Sequence, residues 1–367
     1  MPPKWPIACA AVMALAAPVQ AMPPAPPAPD EAVQGSLAVF TPRPDGRDHR
    51  LDYSVWTELL QAYVLSMGPP LRKMPPGGAA TPRINGHNSI YRLEGAMVGF
   101  DLMDAETIAN IARYRRELEA VADSVDIPAL PRNEQLAYWF NLHNAALIET
   151  IAAEWPIYVP REITVGGVPI NEARFITVRG VALSPRDIRE GIVFSHWKSP
   201  EVIYGFWRGE IGGPAMQRMA FDGSDLRNQL ERVAREFTNS RRGVERRGRT
   251  LHVSHFYDEA APFFFADFEA DLRAHLGKYV EGKVAKMLTE TERVKPSLYE
   301  HDIADLSGGR RPSLFYTNGR LSKPVLNLLL QRRSKFAYIA RKMPRSGTVT
   351  FSNIILPGDP LDKSEVE

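Results

Sequence analysis

Cysteine is nearly absent from this chain of 367 residues, since the only one is Cys9. Cys9 lies within residues 1–21, which are typical of a secretory signal peptide: Lys4 precedes a short apolar core, and residues 19–21 (VQA) resemble a cleavage site. The mature protein is therefore expected to contain no cysteine, which excludes disulfide bonds, a thiolate nucleophile and thiolate-bound metal. This pattern predicts a periplasmic or secreted protein.

Long hydrophobic runs and net charge are also lacking. Beyond the signal segment no stretch approaches the roughly 18 consecutive apolar residues that indicate a membrane span, so no transmembrane anchor is predicted. The 45 basic and 43 acidic residues leave a net charge of +2, so nothing favours a nucleic-acid partner. The remaining composition, 44% hydrophobic and 24% charged, is that of a folded protein.

The most informative segment that is present spans residues 133–155. It contains no glycine or proline and is apolar on nearly every side, which predicts a helix buried at the centre of the fold. Asn133 is the predicted N-cap, and Pro156 should end the helix because proline cannot continue the hydrogen-bond ladder.

Three polar residues interrupt this apolar helix: Asn141, His143 and Asn144. An unpaired buried amide costs roughly 1–3 kcal/mol, so both asparagines need partners. They are predicted either to hold neighbouring loops or to contact a ligand. His143 is either a hydrogen-bonded core histidine or a general base that opens onto a cleft.

The stretch AYWFNLHNAALIE, residues 137–149, resembles the signature of the family called domain of unknown function 547. This bacterial and plant family carries two asparagines at this spacing on an aromatic-rich helix, and Asn141 and Asn144 match them. His143 stands where the family usually has an aromatic residue, so the resemblance assigns His143 no role. The resemblance covers residues 51–288 and points to a secreted bacterial branch of the family.

One departure from the resembled family concerns two cysteines in a loop that follows a strand. On this sequence they would fall at Arg208 and Gly213, immediately before Pro214. The resemblance also implies a distant likeness to papain-like or transglutaminase-like folds, whose cysteine is activated by a base. Because both thiols are missing here, it implies a degenerate or repurposed site.

The loop that replaces these cysteines is a candidate binding site. Gly209, Gly212 and Gly213 could present backbone N–H groups to an anion, with Arg208 adding positive charge. The alternative is a structural turn that needs positive φ angles. A second basic segment, five arginines within residues 241–249, is predicted to be an exposed hairpin, with binding of an acidic partner as the alternative.

His252 and His255 lie close to Asp258 in sequence. Two residues three apart on a strand point to opposite faces, and zinc needs three or four ligands, so the sequence predicts no metal site and no cofactor. His143, His255 and Asp258 remain the catalytic candidates.

These observations predict an α+β fold: one domain, residues 51–288, with a central buried helix, a small antiparallel sheet of hairpins and surrounding helices. Residues 22–50 should form a proline-rich disordered tether, and residues 289–367 a C-terminal extension packed on the domain and ending in a polar tail. Residues 202–207 are predicted to be a strand, and residues 272–287 one helix.

The predicted function is a non-catalytic module that binds a peptide or anionic glycan in a cleft floored by the central helix. The alternative is a cysteine-independent hydrolase or transferase that uses a cleft histidine, His143 or His255, as general base.

Overall fold

The computed structural model describes residues 36–72, 87, 89–310 and 322–342. The predicted signal peptide, the most proline-rich part of the tether and the polar tail lie outside these residues. Within the described ranges, no helix combines the length and apolar character that a membrane span requires.

The central helix runs from Arg132 to Glu154, and most of its residues are buried on every side. It begins after Pro131, not at Asn133, and no side chain caps its first turn. It ends before Trp155 and Pro156, as predicted. Its aromatic residues lie in one continuous core, where Trp139 meets Phe40 edge to face.

The other helices surround this one. Their bounds are Ser54–Tyr63, Ala105–Ser124, Leu226–Asn239, Phe256–Phe264, Phe268–Gly277, Gly282–Thr289 and Lys323–Lys342. Short 3₁₀ segments lie at Ala38–Phe40, Phe100–Leu102, Ile127–Ala129, Pro160–Glu162 and Pro200–Gly205, and a π-helical segment at Asp187–Phe194.

In the part of the chain that the structure describes, the strands form four small sheets. Two are tight hairpins, Thr164–Val165 with Val168–Pro169 and Ile176–Val178 with Val181–Leu183, and a third pairs Val64–Ser66 with Ala96–Val98. The largest sheet has three strands, Val244–Arg247, Thr250–Ser254 and Arg293–Leu298, of which the last two run parallel. One α+β domain with small antiparallel hairpins is therefore confirmed.

The segment after the second hairpin starts its helix with a pair of hydrogen bonds between Ser184 and Asp187. The Ser184 hydroxyl accepts from the backbone N–H of Asp187 at 3.0 Å, and the Asp187 carboxylate accepts from the N–H of Ser184 at 2.9 Å. This reciprocal pair satisfies two N–H groups that the start of a helix leaves without partners.

Two predicted elements differ from those observed. Residues 202–207 were expected to be a strand, but Pro200–Gly205 is a 3₁₀ helix whose apolar residues pack around Phe140 of the central helix. The predicted single helix 272–287 is two helices, interrupted after Gly277. In both places an apolar run alone could not distinguish one buried element from another.

The core extends beyond the predicted domain at both ends. Leu37 and Phe40, in the range assigned to the tether, are buried. On the C-terminal side, Arg293–Leu298 forms a strand of the largest sheet, and Asp305 is fully buried, where it accepts from the N–H of Phe100.

Candidate functional site

The two asparagines of the central helix bind backbone groups of two separate loops. Asn141 donates to the carbonyl of Phe221 at 2.8 Å and accepts from the N–H of the same residue at 3.0 Å. Asn144 donates to the carbonyl of Gly205 and accepts from the N–H of Trp207, both at 3.0 Å. Each side-chain amide therefore donates one hydrogen bond to the backbone of a loop and accepts one from it. The Asn144 amide fixes the backbone immediately before Arg208.

His143 lies in the core with no exposed surface. Its Nε2 accepts from Arg189 at 3.1 Å, because a guanidinium can only donate, and its Nδ1 donates to the Asn144 amide oxygen at 3.0 Å. Burial, together with the neighbouring guanidinium, lowers the pKa of His143 well below its ordinary value. The imidazole is therefore neutral and enclosed, and it does not open onto a cleft.

The glycine turn, residues 209–213, packs against the segment 300–304. The N–H of Gly212 donates to the carbonyl of Glu300 at 3.0 Å, and the carbonyl of Gly209 accepts from Ala304 at 2.7 Å. Gly209 has a φ of +82°, and an added Cβ would lie 2.5 Å from a methyl of Ile151. The Gly212 N–H is thus occupied by the protein itself, and the turn allows a close backbone approach.

Arg208 lies at the position where the resemblance places the family's first cysteine. Its side chain, only 10% exposed, forms an ion pair with Glu259, and its guanidinium lies 5.3 Å from the centre of the Phe256 ring. The Glu259 carboxylate also lies 3.2 Å from the Nε2 of His255. An arginine therefore stands beside His255, one of the two candidate bases.

Four side chains that we call the Glu210 cluster meet next to this arginine: Arg161, Glu210, His255 and His301. Arg161 donates to both carboxylate oxygens of Glu210, at 2.6 and 2.7 Å, and the Nδ1 of His301 lies 3.2 Å from one of them. Burial alone would raise the pKa of Glu210, but the hydrogen bonds from His301 and Arg161 outweigh it and lower the pKa. Glu210 is therefore an ionised carboxylate that is 5% exposed.

His255 lies at the junction of a strand and a helix, immediately before Phe256–Phe264. Its Nε2 is 3.2 Å from the Nη2 of Arg161, while its Nδ1 is buried and has no hydrogen-bond partner among the described residues. Burial lowers its pKa to about 4, so the ring is neutral near neutral pH. One ligand atom each from His255, His301 and Glu210 lie within 4.8 Å of one another, a set that can hold a metal ion.

Two exposed tyrosines adjoin the cluster. Tyr299 is 65% exposed and stacks on the ring of His255 with centroids 5.5 Å apart. Tyr158 is 54% exposed, and its carbonyl accepts from the N–H of Ile303 at 2.8 Å, a residue that pairs with Glu210. The guanidinium of Arg310 lies 5.6 Å from the ring centre of Tyr158. We call Tyr158, Tyr299 and the cluster beside them the tyrosine surface.

Other predicted candidates lie elsewhere or have structural partners. Asp258 is exposed, and the carboxylate that contacts His255 is that of Glu259. His252 points to the hydroxyl of Ser297 at 2.5 Å, away from His255. The arginine-rich segment is a hairpin, as predicted, but Arg241 is only 27% exposed and one further arginine is buried.

That arginine is Arg242, which is 2% exposed. It pairs with Glu236 and its guanidinium lies 5.2 Å from the centre of the Phe237 ring. The prediction of a wholly exposed basic hairpin is therefore wrong at this position, since the arginine fastens the hairpin to a helix.

The sequence did not single out His301 or Arg161. They lie 46 and 94 residues from His255, and only the pairing of segments 209–212 and 300–304 brings the cluster together. No spacing rule connects ligands that are so far apart along the chain.

Comparisons with known proteins agree with the resemblance carried by the central helix. No curated protein and no solved structure matches the chain. Residues 127–238, which hold the central helix, both asparagines and the glycine turn, match the family described as "Protein of unknown function, DUF547". This match confirms, over residues 127–238, the resemblance to the family of unknown function 547.

Proposed function

We propose that this protein is a periplasmic or secreted binding module for an anionic glycan, bound at the tyrosine surface. The observation that carries the proposal is the pair of exposed rings, Tyr158 and Tyr299, beside a cluster of buried polar groups. Tyrosine and arginine are enriched among the side chains that contribute most to binding.

The chemistry of the surface suits a sugar acid. A pyranose ring has an apolar C–H face that packs on a tyrosine ring, while its hydroxyl groups need donors and acceptors at the rim. Arg161, whose side chain is 37% exposed, and His301, 28% exposed, supply donors beside the tyrosines. The guanidinium groups of Arg161 and Arg310 place positive charge beside the tyrosines, which favours an acidic glycan over a neutral one.

Two observations support binding over covalent catalysis. Arg208, paired with Glu259, takes the place of the nucleophile that the resemblance implies, and an arginine cannot attack a carbonyl. His143, the other candidate base, is enclosed and hydrogen-bonded on both nitrogens. The binding surface is therefore formed by the loops around Glu210 and not by the central helix.

A second candidate function rests on His255. Its Nε2 lies 3.2 Å from the carboxylate of Glu259, the distance over which a carboxylate can orient a general base. This contact favours a cysteine-independent hydrolase in which His255 activates water.

Affinity electrophoresis of the full chain in gels containing polygalacturonate, alginate or a neutral glucan tests the proposal. We expect retardation in the two acidic gels only, weakening as salt is added. Tyr299→Ala should weaken binding by about tenfold or more, since a buried anchor side chain commonly contributes over 1 kcal/mol. Met219→Ala is the matched control, because Met219 is 54% exposed and lines a different pocket, with Gln229 and Arg232.

The same samples separate the alternatives. Equal retardation of the Tyr299→Ala and wild-type proteins, or binding to acidic peptides but to no glycan, would refute the glycan proposal. Release of reducing ends from the polymer, lost in a His255→Ala variant, would establish the hydrolase instead.

A further inference from the structure

We infer that Glu210, His255 and His301 form a binding site for a divalent transition metal ion such as Zn²⁺. Their ligand atoms lie within 4.8 Å of one another. Two imidazoles and one carboxylate are a ligand set that zinc uses where a fourth position stays open. The inference stands apart from the glycan proposal, because the metal needs no bound sugar.

The backbone fixes the three ligands relative to one another. The N–H of Ile211, beside Glu210, donates to the carbonyl of Asp302 at 2.9 Å, next to His301. The N–H of His255 donates to the carbonyl of Leu298 at 3.1 Å, on the same segment. The backbone segments that carry Glu210 and His255 are thus both hydrogen-bonded to the segment that carries His301. The site is therefore largely assembled before a metal binds.

One buried atom of the site lacks a partner. The Nδ1 of His255 makes no hydrogen bond within the described part of the chain, although buried ring nitrogens are normally paired. Metal binding through the Nε2 of His255 would therefore break no hydrogen bond at its Nδ1.

Arg161 is the group that a metal must displace. Its guanidinium bonds both oxygens of Glu210 and approaches the Nε2 of His255 at 3.2 Å, so it occupies the space between two of the ligands. It comes from the short Pro160–Glu162 segment, and its side chain is 37% exposed and can turn into solvent. Arg161 therefore acts as a competing cation.

The charges agree with such an exchange. Glu210 is paired with Arg161 and Glu259 with Arg208. If Arg161 turns away, Glu210, Glu259 and Arg208 together carry one net negative charge, and a divalent cation can take the place of the lost guanidinium charge. Metal affinity should therefore rise when position 161 carries no charge.

Titration of the full chain, without a histidine tag, with Co²⁺ and with Zn²⁺ tests the inference. We expect a visible d–d absorption band from Co²⁺, lost when one equivalent of Zn²⁺ is added, and Zn²⁺ affinity is measured against a chromophoric chelator. His301→Ala should lower that affinity by about 100-fold or more, beyond the roughly 10–100-fold that loss of a merely orienting group costs. His252→Ala is the matched control and should bind as the wild type does.

Arg161→Gln provides the second measurement and should raise Zn²⁺ affinity at least about tenfold if the guanidinium competes. Circular dichroism checks that each variant is folded, and His301, with 28% of its side chain exposed, should tolerate replacement. The inference is overturned if neither the wild-type nor the Arg161→Gln protein gives a Co²⁺ band. Equal Zn²⁺ affinity of the folded His301→Ala and wild-type proteins would overturn it as well.

Discussion

Replacing Asn144 by leucine tests whether the central helix holds the loop that leads to the Glu210 cluster. The two side chains have similar volumes, so the change removes hydrogen bonds and leaves the packing volume nearly constant. Three buried groups lose their partner: the carbonyl of Gly205, the N–H of Trp207 and the Nδ1–H of His143.

Each buried group left without a partner costs roughly 1–3 kcal/mol, so the sum is about 3–9 kcal/mol. Local relaxation will recover part of this sum, and single substitutions rarely cost more than about 5 kcal/mol. We therefore expect the free energy of unfolding to fall by about 3–5 kcal/mol, a large fraction of the roughly 5–15 kcal/mol typical of a folded domain.

Urea unfolding followed by tryptophan fluorescence measures the loss, with the slope m compared between variants to confirm that the same surface unfolds. Asn110→Leu, an exposed helical position, is the matched control and should change stability by no more than about 0.5 kcal/mol. A loss below about 1 kcal/mol for Asn144→Leu, at constant m, would show that the amide does not hold the loop.

Three further predictions concern backbone, charge and pH. Gly209→Ala should destabilise by roughly 1–3 kcal/mol more than Gly248→Ala, because both have positive φ but only the first would bring a Cβ within 2.5 Å of a neighbouring methyl. Arg242→Met should cost about 3 kcal/mol by leaving Glu236 without its buried partner. Burial lowers the pKa of His275 to about 4. Between about pH 6.5 and pH 4 the unfolded chain therefore binds a proton at His275 that the folded protein does not bind. As the pH falls through this range, the free energy of unfolding should decrease, by roughly 3 kcal/mol at most from this residue.

Urea unfolding checks each of these. Equal losses for the two glycine variants would mean that the turn does not need its close approach. An Arg242→Met protein as stable as the wild type would show that the ion pair is replaceable by apolar packing. For the third, unfolding between pH 7 and pH 4 should be less pH-dependent in His275→Gln, and an unchanged slope would contradict the argument.

The central helix and the hairpins could be predicted because their signals are local. An apolar run without glycine or proline indicates a buried helix, and the Gly166-Gly167 and Arg179-Gly180 pairs indicate tight turns, which all have positive φ here. The need for partners at Asn141 and Asn144 also followed from burial alone. The identity of their partners could not be predicted, because the amides bind the backbone carbonyls of Phe221 and Gly205, and every residue has a backbone carbonyl.

The Glu210 cluster could not be predicted for a different reason. His255 was compared with His252, its neighbour in sequence, whereas its neighbour in space is His301. The pairing of Glu210 with Ile303 joins segments that lie about ninety residues apart, and no local pattern encodes it. The buried position of Arg242 was missed because an arginine run near glycines is usually solvated, and only the helix beside it supplies Glu236.

The side-chain amides of Asn141 and Asn144 bind the neighbouring loops only through main-chain atoms, and this has a consequence for how variable those loops can be. Hydrogen bonds to main-chain atoms do not depend on which side chains the bonded residues carry. The residue at position 208 can therefore be replaced by one of different chemistry while the backbone of the loop keeps its conformation. A scaffold fastened in this way can lose or gain a reactive group and still fold, which makes the stretch from Gly205 onward a natural place for engineering new activity.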